Sequence, residues 1–252
     1  MTLGLQIPLA QPPWSQLGRQ LESLIRKATY EFDLLPKEGH IKVAIALSGG
    51  KDSLALLFFL HALSSRGLAQ LDLCAIHVHG AYSCGAGVSL NYLKAICQSL
   101  SVPFIVRESN QQAEDLECYS CSRERRKLLF DAAKEFGATT IAFGHHLDDN
   151  AQTLMLNMLH KAVPAGMLPK VPMIHYGVTI IRPMIFCREA DIIQFAEQYG
   201  FRRITCQCPV GQNSKRKRVQ EWLSEISKDF PNAASNLSDV SLKWGDQSAL
   251  TP

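Results

Sequence analysis

The 252-residue sequence has no apolar run approaching the roughly 18 residues that a membrane-crossing helix needs, so a bilayer-embedded chain is not expected. Its start, MTLGLQIPLAQPPWSQ, lacks the basic-then-apolar order of a secretory signal, and a cytoplasmic protein is expected. Charge of one sign is scarce as well. The 26 Lys and Arg stand against 23 Asp and Glu, and a net charge of +3 does not by itself announce a nucleic-acid binder. No internal repeat is found, so a repeat architecture is not expected.

Cysteine, by contrast, is plentiful. Of eight, Cys118 with Cys121 and Cys206 with Cys208 form close pairs, while Cys74, Cys84, Cys97 and Cys187 are scattered. In a reducing compartment close pairs point to metal or redox chemistry before structural disulfides.

From residue 41 onward apolar runs alternate with helical patterns. IKVAIAL reads as a buried strand and DSLALLFFLHAL as a helix; LDLCAIHV, LNYLKAICQSL and PFIVRE continue as strand, helix and strand. CSRERRKLLFDAAKEFG is an amphipathic helix closed by Gly137, followed by TTIAFG as a strand and DDNAQTLMLNMLH as a helix. VTIIRPM, READIIQFAEQYG and KRKRVQEWLSEI add a strand and two helices. Such alternation builds a parallel sheet with helices on both faces, so an α/β, Rossmann-like fold is expected, with ligands beyond the carboxyl ends of its strands. The expected organisation is an N-terminal helical segment over residues 1–40, a catalytic domain over 41–230 and a flexible tail over 231–252. The first contains a helix from Trp14 to Phe32, with Leu17, Leu21, Leu24 and Ile25 at helical spacing; the last is rich in Asn, Ser and Asp without a period.

LSGGKDSL, Leu47 to Leu54, joins the first of these strands to its helix. A Walker loop would need glycine where Ile45 stands and Ser or Thr where Asp52 stands, and the dinucleotide pattern G-x-G-x-x-G does not fit either. The residue types still suit a phosphate. Gly49 and Gly50 allow positive φ and close backbone approach, Ser48 and Ser53 bring hydroxyls, Lys51 a cation, and the helix start its free N–H groups. Asp52 either holds Mg2+ or caps the helix.

GHHLDDNAQT, Gly144 to Thr153, lies at a later strand-to-helix junction. Asp149 and Gln152 have capping-box spacing, which makes Asp149 an N-cap; Asp148 has no such role, and adjacent acids beside a triphosphate site suit Mg2+. His145 and His146 read equally as ligand contacts or as turn-shaping residues. Cys118 and Cys121 are expected on a loop running into a helix, with Arg123, Arg125, Arg126 and Lys127 behind them. Those cations and the helix dipole favour thiolate, the form that binds metal. With Cys206 and Cys208 the pair makes a four-thiolate zinc site, or three of the four hold a 4Fe-4S cluster with one iron open. His77 and His79 have the residue types of a metal pair, but alternation along a strand end explains them as well, and the run Lys215 to Arg218 alone reads as a solvated helix face.

SGGKDS matches the PP-loop signature of the ATP pyrophosphatases, which cut ATP between the α and β phosphates and transfer AMP to a substrate oxygen. Taken in order, SGGKDS, CYSCSRERRKLL, GATTIAFGHHLDDNAQTLMLNML, AGMLPK, IIRPM with READIIQFAEQYGF, and TCQCPVGQ resemble the tRNA 2-thiocytidine synthetases, the TtcA family, from Phe32 to Leu223. The resemblance implies a PP-loop fold, a 4Fe-4S cluster, and ATP-dependent thiolation of a cytidine in the tRNA anticodon loop. In that family ATP activates the C2 oxygen by adenylation, and sulfur at the open iron displaces AMP. It implies that Ser48, Gly49, Gly50, Lys51, Asp52 and Ser53, with Gly144, His145, Asp148 and Asp149, bind ATP and Mg2+, Lys51 and Asp52 being catalytic. Cys118 and Cys121 would be cluster ligands with Cys208 the third and Cys206 the alternative, since Cys206-Gln207-Cys208 stands where the family has two residues between cysteines. Arg123, Arg126, Lys215, Arg216, Lys217 and Arg218 would contact tRNA phosphates. The implied partners are tRNA, a cysteine desulfurase or other sulfur donor, and a second copy in a homodimer. The segment HVHGAYSCG departs from the family in being short and lacking an acid. Two rival readings remain: adenylation followed by amine attack, as in the tRNA lysidine synthetases, and a zinc-stapled ATP- or RNA-binding protein without turnover.

Overall fold

The computed structural model describes residues 7–80, 88–109, 118–202 and 214–244, with the backbone alone at 118–121. Among these residues six strands form one sheet: β1 (His40–Ala46), β2 (Gln70–His79), β3 (Phe104–Glu108), β4 (Thr140–Ala142), β5 (Lys170–Met173) and β6 (Val178–Ile181). Eight α-helices accompany them: α1 (Gln16–Glu31), α2 (Lys51–Leu63), α3 (Leu90–Ser99), α4 (Cys118–Phe136), α5 (Leu147–Lys161), α6 (Glu189–Gln198), α7 (Lys215–Asp229) and α8 (Ala233–Trp244).

The spatial order is β3-β2-β1-β4-β6-β5, every neighbouring pair parallel except β5 with β6. β1 is central, with Ile45 opposite Ala75 of β2 on one side and Ala142 of β4 on the other. The chain leaves β1 in one direction through β2 and β3, then returns to add β4 on the opposite flank. That reversal opens a crevice at the carboxyl ends of β1 and β4, the place where doubly wound sheets bind ligands.

Residues Leu54 to Leu60 of α2 are all buried, because the sheet covers one side of the helix and α6 another. Phe59 lies among Trp14 and Phe195, with ring centroids 5.0 and 4.9 Å away. Leu21 and Ile25 of α1 belong to this same core. On the opposite face α4 buries Leu129, Phe130, Ala132 and Ala133 against Ile76, Ile141 and Ile180. Helices thus cover both faces, as the alternation of strand and helix predicts. Each fully buried large apolar side chain contributes about 1.5–3 kcal/mol.

Three features differ from the expectations. Within the expected flexible tail, residues 233–244 form α8, packed on α5, and residues 245–252 lie outside the described residues. The period of α8 is hard to see because its buried side includes Ser238, which accepts from the Asn150 amide, and Ser241, whose hydroxyl donates to the Asn150 side-chain oxygen. The edge strand β5 was missed, since its four residues include Pro172, which a sheet tolerates at an edge. Finally, α4 begins at Cys118, so Cys118 and Cys121 occupy its first turn rather than a preceding loop.

Candidate nucleotide site

The chain leaves β1 at Ala46 and enters α2 at Lys51 through a loop held at several points. The Leu47 amide donates to the Ile76 carbonyl at 2.8 Å, and the buried His77 places Nδ1 2.8 Å from the Leu47 carbonyl. That bond gives His77 a structural role; its ring centroid lies 6.0 Å from that of His79. Gly49 has a φ of +87°, and a Cβ there would lie 2.9 Å from Val88, so the position needs glycine twice over. Ser53 Oγ accepts from the Gly49 amide at 3.1 Å and donates to the Gly50 carbonyl at 3.0 Å. Ser48 Oγ accepts from the Gly50 amide at 3.3 Å. The N-cap of α2 is Gly50, so Asp52 is not the cap, and among the described residues the helix start has no side-chain cap.

Lys51 Nζ donates to Glu189 at 2.9 Å and to Asp52 at 3.2 Å. Burial alone would lower its pKa, but the two carboxylates outweigh it and hold the amine above its ordinary value. Burial raises the pKa of Asp52 against the pull of His146 and Lys51, and Asp52 Oδ1 is buried with no hydrogen-bond partner among the described residues.

The second wall of the crevice is the turn from β4 into α5. A Cβ on Gly144 would lie 3.0 Å from the backbone carbon and oxygen of Asp52, so only glycine lets β4 come this close to α2. The N-cap of α5 is His146, and Asp149 is its third residue, with a carboxylate accepting from the His146 amide at 3.2 Å. Asp149 is therefore a reciprocal partner of the cap, not the N-cap expected from its spacing to Gln152. Asp148 Oδ2 reaches across to accept the Glu189 amide at 2.7 Å, tying α5 to the start of α6.

The two histidines have opposite fates. Burial and the nearby Arg182 push the His145 imidazole down to about 3, so it is neutral, and its ring stacks on Phe143 at 5.6 Å. Burial also acts against charge on His146, yet Asp148 at 3.5 Å, Asp149 at 3.4 Å and Asp52 at 3.9 Å overcome it and raise its pKa to about 8.

A cavity of about 450 Å³ fills the crevice. Ser48, Asp52 and Ser53 line one wall and Gly144, His145 and Asp149 another; Ile76, Val78 and Ile180 form an apolar floor. Arg125, Arg126, Arg182 and Arg216 bring cations to it. Lys51 and Asp148 are not among the lining residues; both are tied to the start of α6 through Glu189. Arg182 is the member that sequence reasoning missed. Burial lowers its pKa to about 10 and it donates to the Leu168 carbonyl; the only sequence signal was a lone cation at an apolar strand end, IIRP. Glu189 was missed too, since an acid in the first turn of a helix needs no other explanation.

Arg216 is half-buried and turned toward the cavity, donating to Asp149 at 3.2 Å and Thr153 at 3.0 Å. Lys215, Lys217, Arg218 and Arg123 are exposed, and the Arg218 guanidinium covers the Trp222 ring at 5.2 Å. Arg126 is exposed at the cavity mouth, bonded to Ser122. Cys206 and Cys208, like the side chains of Cys118 and Cys121, lie outside the described residues. Among the described residues no group of three His, Cys, Asp or Glu side chains is arranged to hold a metal ion by itself.

A glycine-built loop, an uncapped helix start and a cation-lined cavity at the reversal point of a mainly parallel sheet define an α/β nucleotide-binding protein of the PP-loop class. The sequence matches the PP-loop domain family over residues 15–225. It is 33% identical over 233 residues to a tRNA-cytidine(32) 2-sulfurtransferase of Syntrophotalea carbinolica, covering 88% of each chain. It is 35% identical over 232 residues to one of Anaeromyxobacter dehalogenans, covering 88% of this chain and 78% of that one. In fold it is similar to the U34-tRNA thiolase NcsA from Methanococcus maripaludis, solved with its [4Fe-4S] cluster, with a TM-score of 0.70, 22% identity, and coverage of 89% and 77% of the two chains. The chain belongs to the tRNA-cytidine(32) 2-sulfurtransferase family of PP-loop proteins. No helix of its described residues is long and apolar enough to cross a membrane.

Proposed function

We propose that this chain is an ATP-dependent tRNA sulfurtransferase that converts a cytidine of the anticodon loop to 2-thiocytidine. The observation that carries the reading is the cavity between β1 and β4. Its apolar floor suits a nucleoside, and the free N–H groups of α2 with the surrounding cations suit a triphosphate. Ser48, Gly49, Gly50 and Ser53 form the cradle, and Lys51 supplies positive charge where pyrophosphate departs. Gly144 and His145 bound the nucleotide from the β4 side. Asp148 and Asp149 hold the wall in place through α6, His146 and Arg216.

Asp52 Oδ1, lacking a partner, is the oxygen that fits Mg2+, an ion usually held by one or two carboxylates together with substrate phosphates. A 4Fe-4S cluster would be held by Cys118, Cys121 and Cys208, or Cys206 in place of Cys208, and when bound supplies an open iron site for sulfur chemistry. Arg123, Arg126, Lys215, Lys217 and Arg218 position tRNA through its phosphates, whereas Arg216 serves the nucleotide wall. A cysteine desulfurase or another donor provides the sulfur, and the enzyme acts as a cytoplasmic homodimer.

The test uses protein purified without oxygen, incubated with ATP, Mg2+, tRNA and a sulfide source. The expected result is pyrophosphate release that depends on tRNA, with 2-thiocytidine in the nuclease digest by mass spectrometry. ATP binding without pyrophosphate release, in protein that contains iron and acid-labile sulfide, would overturn it.

A further inference from the structure

Lys51 donates to two carboxylates of different origin. Asp52 is its neighbour in sequence and moves with α2; Glu189 lies 138 residues away and belongs to α6. An ammonium has three N–H groups. Two are taken by these partners, which leaves one and restricts where it points.

Glu189 is itself held from several directions. Its amide donates to Asp148 Oδ2 at 2.7 Å, and its Oε2 accepts from Gln220 Nε2 of α7 at 3.4 Å. Its helix packs on α2, with the Phe195 and Phe59 ring centroids 4.9 Å apart. Favourable interaction with the α6 dipole explains an acid in this first turn, but not a bond across to the phosphate loop. Lys51 is a flexible chain of four carbons, so a rigid second anchor has a clear physical effect.

We propose that Glu189 is a positioning residue: from the α6 side it fixes the Lys51 amine so that the remaining N–H serves the phosphate cradle. Its consequence for turnover rests on the sulfurtransferase reading; its consequence for Lys51 does not. With Glu189→Ala the amine keeps only Asp52, and a displaced catalytic group slows the chemical step. Removing a carboxylate near an anion site does not weaken anion binding. The signature is therefore a fall in kcat with ATP affinity held or tightened, whereas damage to the fold would worsen both.

Three measurements on the full, cluster-loaded chain decide it: pyrophosphate release with tRNA at saturating ATP, ATP affinity by calorimetry, and labelling of Lys51 by a lysine-acylating reagent mapped by mass spectrometry. Glu189→Ala is expected to slow release by about 10- to 100-fold, to leave ATP affinity equal or tighter, and to speed Lys51 labelling. Glu189→Gln, which keeps an acceptor oxygen, should recover most of the rate. Should Glu189→Ala fail to fold, Glu189→Asp retains the acid at the start of α6 while drawing its oxygen away from Lys51, and the same shifts are expected. Wild-type turnover in the variant that folds, a loss confined to ATP affinity, or unchanged Lys51 labelling would each overturn the proposal. If the wild-type protein releases no pyrophosphate with tRNA, the sulfurtransferase reading fails while labelling and calorimetry still decide the role of Glu189.

Discussion

Two helices begin at the same crevice, and they begin differently. The start of α2 has Gly50 as its N-cap and no capping side chain, whereas α5 starts at His146 with the Asp149 carboxylate folded back onto the cap amide. A helix N-terminus attracts an anion through N–H groups that nothing else has taken. The start of α2 is thus open to phosphate. At α5 the acids are committed within the protein, Asp149 to His146 and Arg216 and Asp148 to the start of α6. One junction is shaped for a ligand and the other holds the wall against which that ligand rests.

Removing the cation at the open junction should have the largest effect. Lys51→Ala is expected to reduce pyrophosphate release and thiolation by at least about 100-fold, in line with loss of a preorganised charge contact, while iron and sulfide content stay at wild-type levels. Normal activity in that variant would end the distinction between the two junctions. Gly144→Ala attacks their contact, because the new Cβ meets the Asp52 backbone at 3.0 Å. Overpacking of this kind costs about 1–3 kcal/mol, so both the thermal midpoint and the ATP affinity should fall.

Asn150, in the opening turn of α5, tests the supporting role of the second junction. Its side chain donates to Ser238 at 2.9 Å and accepts from the Met167 amide at 2.6 Å and the Ser241 hydroxyl at 3.0 Å, all buried or half-buried groups. Asn150→Ala strands these partners and should cost about 2–3 kcal/mol, read by denaturant unfolding, with hydrogen exchange in α8 rising first.

The smallest effect is the pH dependence of the closed junction. The pKa of His146 is raised from 6.5 to about 8 when folded, so its contribution is complete below 6.5 and is lost as pH rises through about 8. Unfolding free energy should therefore decline by up to about 2 kcal/mol across that window, and His146→Gln should flatten the decline. Asp148 and Asp149 shift downward, against burial, chiefly through His146, so their contribution is lost only in acid, as pH falls below the ordinary carboxylate range.

Much of this arrangement was legible beforehand. The apolar strand IKVAIA, the all-apolar α2 and the amphipathic α4 carry their periods openly, and SGGKDS names its own chemistry through two glycines, two hydroxyls and a lysine at a strand-to-helix turn. β5 was hidden by its length and its proline, and α8 by a buried side that includes serines instead of an unbroken apolar stripe. The run Lys215 to Arg218 looked uniform, yet Arg216 alone of its four cations turns inward to Asp149.

The sequence by itself determined the alternation of strand and helix, the open phosphate loop and its membership of the PP-loop class, because those depend on glycine, on apolar period and on groups only a few residues apart. Only the tertiary structure decided that Glu189 meets Lys51, that Arg182 enters the cavity and that Asn150 fastens α8. These pairings join residues dozens to more than a hundred positions apart. Whether two such charges or amides meet depends on how helices pack against a twisted sheet, which no local spacing records.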